Sequence, residues 1–491
     1  MSRINQNVPS ILAQRVLGEQ NMGLNKSLQR LSTGLRINRG ADDPAGLIAS
    51  ENLRSEKAAI NSAVTNAQRA EQVVNVAEGG LQEVSNMLVE LQSLVSSTAN
   101  EAGVSAEEKE ANQLQIDSIL QTIDRIANST SFQGSKLLNG NFDYTTSGVD
   151  DSNLTDVTIN SAKLADDGSA RNVTVTTMAA AETGEAFLST NAALGNGGNG
   201  QITIEVTGSK GSQQFTFASG TTQADMVSSI NSFGDQIGVQ AAQATNAARI
   251  EFNSSEFGSN EFVRVKVLNA NGGANNLVFD ESAAGAASND VRDEGADATV
   301  LINGTQATTN GLTARVSSDG FDVSVTIDSD IAGMNQAGTT SAFSITDGGA
   351  NFNLAPSVSM SSKVSLGIET VTTGNLGSGN AGFLSDLKSG GTSNVQNGDL
   401  GKAQEVIDAA IKQVSGLRGR LGAFQKNVVG STISSLGVAL ENTSAAESQI
   451  RDTDFAAETA AMTRSQILSQ AATQALSLAN SQPQQVLSLL G

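Results

Sequence analysis

The stretch LQEVSNMLVELQSLV, residues 81–95, places Leu81, Val84, Leu88, Leu91 and Val95 at steps of 3, 4, 3 and 4. That spacing is the narrow apolar stripe of a helix that packs along another helix. Upstream, Asp42-Asp43-Pro44 reads as a helix start: a side-chain cap followed by a proline whose missing N–H costs nothing in the first turn. From there to about residue 100 there is no further proline, and the only glycines are Gly46, Gly79 and Gly80. At 1.5 Å per residue such a helix is about 85 Å long. It cannot support itself along one stripe and needs partner helices.

The partners are legible at both ends of the chain. Ser105 and Glu108 form a capping box that opens a helix with Ile116, Ile119, Leu120, Ile123 and Ile126 on one side. Ala410, Val414, Leu417, Leu421, Phe424 and Val428 repeat the 4–3 stepping, with a looser continuation to Leu440. Beyond Asp452 a last helix carries Phe455, Met462, Leu468, Ala472, Ala475 and Ala479, together with Ile467, Leu476 and the apolar end Val486, Leu487, Leu489 and Leu490. The first 35 residues have a matching seam of Val8, Ile11, Leu24, Leu28, Leu31 and Leu35. Residues 1–40 hold six bases against one acid, but the bases are spread out and the leucine spacing reads as helix pairing rather than a nucleic-acid arm.

Composition excludes much. The 491 residues contain no cysteine and no histidine, so thiolate and imidazole metal sites, disulfides and the commonest catalytic bases are absent. We expect no enzyme, no cofactor and no metal. No apolar run reaches the roughly 18 residues a membrane span needs, and residues 1–20, interrupted by polar side chains, are not expected to act as a cleaved secretory signal. The net charge of −21 argues against nucleic acid as a partner. Residues 1–140 hold 12 basic and 15 acidic residues, and residues 391–491 hold 7 and 8, leaving the middle with 10 and 27. The middle also holds 13 of the 16 phenylalanines and the sole tyrosine, Tyr144.

In that middle the period changes to two. Ile202, Ile204 and Val206 alternate, a turn leads to Phe215 and Phe217, and Thr222 with Asp225 caps a short helix before further strands, a ββαββ unit. A second β unit shows Phe321, Val323, Val325 and Ile327 alternating with polar residues. The glycine-rich GNGGNG at 195–200 lacks the strand, helix and Lys-Ser/Thr of a phosphate loop. The acid pairs at 150–151 and 328–330 lack calcium-loop spacing and read as solvated surface.

The ends then become specific. LSTGLRINRGADDPAGLIASENLRSE (31–56), TSFQGSKLLNG (130–140), SMSSKVSLGIETVTTGNLG (359–377) and the whole of 442–491 resemble bacterial flagellin. The middle is more weakly similar to inserted ββαββ modules of some flagellins. The resemblance implies a multidomain chain: a long helical coiled-coil and bundle core from the two termini, with an inserted α+β or mainly-β outer region. It divides the sequence into an N-terminal inner helix (1–42), the N-terminal part of a helical shell (43–140), outer domains (141–346, with ββαββ at about 200–268 and a β module at about 298–330), the C-terminal part of the shell (347–450) and a C-terminal inner helix (451–491).

It also implies function: a secreted subunit, exported unfolded by a type III apparatus, that polymerises into the extracellular flagellar filament. Its partners would be copies of itself, an export chaperone, and the cap and junction proteins. By position, Leu24, Leu28, Leu31 and Leu35 would be inner-seam residues, and Arg36, Asn38, Asp42 and Asp43 would lie where inner and outer helices join. Phe455, Met462, Ile467, Leu468, Leu476 and Val486, Leu487, Leu489 and Leu490 would be assembly contacts, with the tail disordered before assembly. One departure stands out. Flagellins sensed by a Toll-like receptor carry Leu-Gln-Arg-Val-Arg-Glu-Leu in the first long helix, where this chain has Leu88-Val89-Glu90-Leu91-Gln92-Ser93-Leu94, so we expect weak or no receptor activation. The alternatives are a hook–filament junction protein, or a filament subunit whose outer domain is an adhesin.

Overall fold

The computed structural model describes residues 6–490 except 101–102, 151, 165–168, 190–200, 244–248, 271–277, 281–287, 319, 330–333, 360–361, 380 and 397, and gives only the backbone at 189, 270, 278–280 and 483–490. The motif GNGGNG, and one residue of each acid pair, lie outside the described residues. Eight helices are used below: α1 (Val8–Thr33), α2 (Pro44–Thr98), α3 (Ala106–Ser129), α4 (Gln223–Asn231), α5 (Gly234–Ile237), α6 (Leu400–Ala423), α7 (Ser431–Arg451) and α8 (Phe455–Leu490). A π-helical stretch, Phe424–Gly430, joins α6 to α7. The long terminal helices flank a strand-rich centre, as the sequence implies. The chain resolves into two compact units, one of 1–71, 353–362 and 424–491, the other of 72–352 and 363–423.

In the second unit the 81–95 stripe forms the core of a helical bundle. Leu81, Val84, Leu88, Leu91 and Val95 are fully buried, as are Ile116, Leu120 and Ile123 of α3 and Ala410, Val414, Leu417 and Leu421 of α6. Burying each large aliphatic side chain stabilises by roughly 1.5–3 kcal/mol. Cross-links fix α6 antiparallel to α2: Arg418 Nε donates to Glu78 Oε1 at 2.8 Å and Gln92 Nε2 to Asp408 Oδ1 at 2.9 Å. The Ser105–Glu108 capping box forms with both of its bonds.

The strand-rich part is nested. Two antiparallel sheets, one ordered 299–302, 171–179, 340–347, 145–147 and the other 313–318, 321–327, 154–162, share a core of Leu154, Val173, Val300, Phe321, Val323, Val325, Ile327 and Phe343. The alternation read at 321–327 is an alternation of burial. A distal body at 184–294 is inserted between strands 171–179 and 299–302, and its core joins Ile204, Val206, Ile250, Phe252 and Val265 with Met226 and Ile230 of α4. Its strands differ in pairing from one ββαββ sheet. One sheet runs 290–294, 262–270, 202–207, 212–217, whereas a second runs 278–280, 185–189, 249–254, 239–243. Each strand has one apolar face, so two sheets closed on a shared core bury more than one sheet under a nine-residue helix.

The neck between the two β bodies is narrow. Glu182 and Ala296 exchange N–H···O bonds of 2.9 and 3.0 Å. Gly258 (φ +119°) lies so close to Gly311 that a Cβ there would fall 2.7 Å from its Cα, which only glycine permits. Asp297 Oδ1 accepts from the N–H of Ser259 (3.0 Å) and Gly311 (2.7 Å) across this contact.

Candidate assembly interface

In the first unit α1 and α8 pair antiparallel. Residue numbers rise along one helix as they fall along the other: Asn7 Nδ2 donates to Ala479 O (2.8 Å), Ser10 Oγ to Asn480 Oδ1 (2.7 Å), Ser469 Oγ to Asn21 Oδ1 (2.9 Å), and Arg30 pairs with Glu458 at 3.4 Å. At the root of the pair, Leu35 and Asp452 form a β-bridge. Beside it Arg36 N–H donates to Arg451 O at 2.7 Å and Thr453 N–H to Gly34 O at 2.9 Å. Gly34, at φ +71°, is the left-handed cap that ends α1 and turns the chain into this bridge.

The root residues named from sequence are brought together. Arg36 donates from Nε and Nη2 to Ile450 O (3.2 and 2.6 Å). Asn38 Nδ2 donates to Thr33 Oγ1 (2.9 Å) and Leu35 O (3.0 Å). Asp43 caps α2, accepting from Gly46 N–H at 2.9 Å. Asp42 is not the cap. Its carboxylate binds Lys26 at 2.9 Å and accepts from the N–H of Asn38 and Arg39. The Lys26 bond is the first reason its pKa is held below the ordinary value, with the two N–H groups adding to it.

The seam is phased differently from the one read in the sequence. Partly or fully buried positions on α1 include Ser10, Ala13, Leu17, Gln20, Leu24, Ser27 and Leu31, flanked by Gly23, Gln29 and Arg30; on α8 they include Glu458, Met462, Ser465, Ser469, Ala472, Leu476 and Ala479, flanked by Ala461 and Ser481. The central rows step 3 and 4. Leu24 and Leu31 therefore face α8, Leu35 is half-buried at the root, and Leu28 points away at 48% exposure because Ser27 takes its place. Short side chains let the helices approach closely. The large apolar residues Val8, Ile11, Leu12, Met22, Phe455, Ile467, Leu468 and Leu478 are left exposed. Backbone hydrogen bonding carries α8 helical to Leu490, where the sequence suggests a disordered tail; those bonds are local to one helix and need no second chain. The side chains of Val486, Leu487, Leu489 and Leu490 lie outside the described residues. The sequence reading missed Lys26, Arg30 and Glu458; the signal for the last two was opposite charge at the edge of two heptad stripes.

The first unit also carries a small core of Ile60, Ala63 and Leu436 between α2 and α7, clamped by Lys57–Glu447 at 3.1 Å. Glu51 binds both Arg54 (2.8 Å) and Arg451 (3.0 Å), and Arg54 is the first reason its pKa is lowered. No group of three metal-ligating side chains occurs among the described residues, and no described helix is long and apolar enough to cross a membrane.

This geometry defines a class: a helical subunit whose paired ends expose an unpartnered apolar surface. The comparisons give the family. Residues 4–143 match the bacterial flagellin N-terminal helical region and 404–490 the bacterial flagellin C-terminal helical region. The chain is 30% identical to the polar flagellin B/D of Vibrio parahaemolyticus and 29% identical to the B-type flagellin of Pseudomonas aeruginosa, in each case over 99% of both chains. A solved structure of FliC from Burkholderia pseudomallei shares 15% identity over 73% of this chain and 99% of that one, at a TM-score of 0.23. The chain belongs to the flagellin family.

Proposed function

We propose that this protein is the structural subunit of a bacterial flagellar filament, secreted and polymerised outside the cell to serve motility. One observation carries the reading: α1 and α8 close on each other through a few leucines set among serine, alanine and polar side chains, while Ile11, Leu12, Met22, Phe455, Ile467 and Leu478 remain uncovered. Such a surface gains its stability from further copies of the same chain. The names of the relatives support a filament subunit over a hook–filament junction protein. In this reading the chain passes a type III export apparatus with a chaperone and meets the cap and junction proteins at the growing tip. It performs no catalysis and needs no cofactor. Its roles divide as the sequence suggests, with α1 and α8 inside, the α2, α3 and α6 bundle as shell, and the nested β bodies outermost, where adhesion is an additional role.

The deciding experiment removes residues 482–491 and follows seeded polymerisation by electron microscopy, with circular dichroism as a check on the shell. Loss of filaments with helicity retained supports the reading; normal polymerisation overturns it. Receptor activation is expected to be weak, since the 88–94 stretch has Glu90 and Gln92 in place of the two arginines and Ser93 in place of the glutamate. Strong signalling in receptor reporter cells would contradict that.

A further inference from the structure

The apolar pattern of the α1–α8 seam does not fix its own register. On α1 one row reads Ser10, Leu17, Leu24, Leu31 at seven-residue intervals and the other Ala13, Gln20, Ser27. On α8 the rows read Met462, Ser469, Leu476 and Glu458, Ser465, Ala472, Ala479. A slip of seven residues keeps these rows in phase, so Leu24 and Leu31 again lie opposite positions of the same two rows. Polar contacts do distinguish the registers. Arg30 and Glu458 are 24% and 14% exposed, and Arg30 Nε is buried with no hydrogen-bond partner, so this charged pair is committed to its geometry. In the structure residue 30 faces 458 and residue 23 faces 465. A one-heptad slip that brings Gly23 opposite Ala472 puts Arg30 against Ser465 and carries Glu458 past the end of α1, so the ion pair is broken and both charges are left unpaired.

We propose that Arg30 and Glu458 are positioning residues that set the register of the α1–α8 pair, and so decide whether the apolar surface of one copy fits the next. A slip must also open the root bridge between Leu35 and Asp452, which holds the same register in its backbone bonds; among the described residues this pair is the α1–α8 ion pair nearest to it, so the two act together. The proposal rests on the filament reading and adds a specific device to it.

Because the chain has no cysteine, register can be read by disulfide trapping without background. A Cβ on Gly23 would lie 3.3 Å from Ser465 Oγ, so Gly23→Cys with Ser465→Cys reports the native register, and Gly23→Cys with Ala472→Cys the slipped one. Each reporter is placed in full-length chains with the natural pair, with Arg30→Ala, and with Arg30→Glu plus Glu458→Arg. With the natural pair, filaments trap only the native disulfide. Arg30→Ala slows elongation at least about tenfold, an effect smaller than that of leaving a buried charge alone. It also lowers the native trapping or yields the slipped product, and the charge exchange restores both. Wild-type elongation with native trapping in Arg30→Ala overturns the proposal. So does a charge exchange that leaves the Arg30→Ala defect uncorrected. Failure of the natural chain to polymerise at all overturns the filament reading instead, whatever the trapping shows.

Discussion

Replacing Ile467 and Leu468 together by alanine tests whether the uncovered face of α8 drives polymerisation. In the single chain these side chains are 61% and 43% exposed, so the substitution removes little that the folded subunit uses. Alanine is also the best helix former, and α8 keeps its local stability. What is lost is the burial still to come. Covering a whole large aliphatic side chain contributes roughly 1.5–3 kcal/mol, and together the uncovered fractions amount to about one such side chain. At 1.4 kcal/mol per factor of ten, the critical concentration for polymerisation should rise about 10- to 200-fold. The assay is sedimentation of seeded polymer across a concentration series, with circular dichroism to show unchanged helicity. Met178→Ala is the control, since Met178 is 54% exposed on a strand of the β region and should leave the critical concentration unchanged. A double variant within twofold of wild type, with helicity intact, would refute the reasoning.

Leu91→Ala empties a fully buried position in the bundle and should cost about 2.7–5 kcal/mol, read as a lowered urea midpoint with unchanged slope. Asp143 lines a cleft with Glu369 and Arg420; burial raises its pKa, and the charge of Glu369 adds to the effect against the N–H bond from Tyr144 at 2.8 Å. An acid whose folded pKa lies above its unfolded value weakens the fold once ionised. The Tm of Asp143→Asn should therefore exceed that of wild type near neutral pH, and the gap should close as pH falls towards the ordinary value of 3.8. A gap that widens on acidification would reverse the sign. Excising 184–294 and joining 183 to 295 should leave a proximal β body that folds and a chain that polymerises, because Glu182 and Ala296 are already bridge partners; a chain that fails to fold would show that the distal body supports the proximal one.

The bundle was legible because a fully buried stripe of Leu81, Val84, Leu88, Leu91 and Val95 is the strongest signal a sequence can carry. Caps were legible too, since Ser105 with Glu108 acts over three residues. The α1–α8 seam was legible only in part. Leu24, Leu31, Met462, Ala472 and Leu476 lie in it, but Ser10, Ser27 and Ser465 give no hydrophobic contrast, so the eye follows Leu28 to the wrong face. Sheet pairing failed for another reason. That strand 262–270 returns to 202–207 while 249–254 pairs with 185–189 depends on which apolar faces meet, a property of distant segments together. Among the root residues, Asp42 and Asp43 stand side by side in sequence. Only the position of Lys26 tells which one caps and which one holds the loop.

The hydrogen bond between Asn7 and Ala479 joins residues 472 positions apart, and even at the root end Arg30 and Glu458 are 428 apart. A ribosome releases α1 long before α8, so the earliest helix of the chain waits for almost the latest one to find its partner. Any message or peptide cut short before Phe455 yields an α1 with nothing to close on and an assembly surface that is never completed. In the filament reading proposed above, the pairing would act as a length check on the product, since a chain ending before α8 would lack half of the assembly surface.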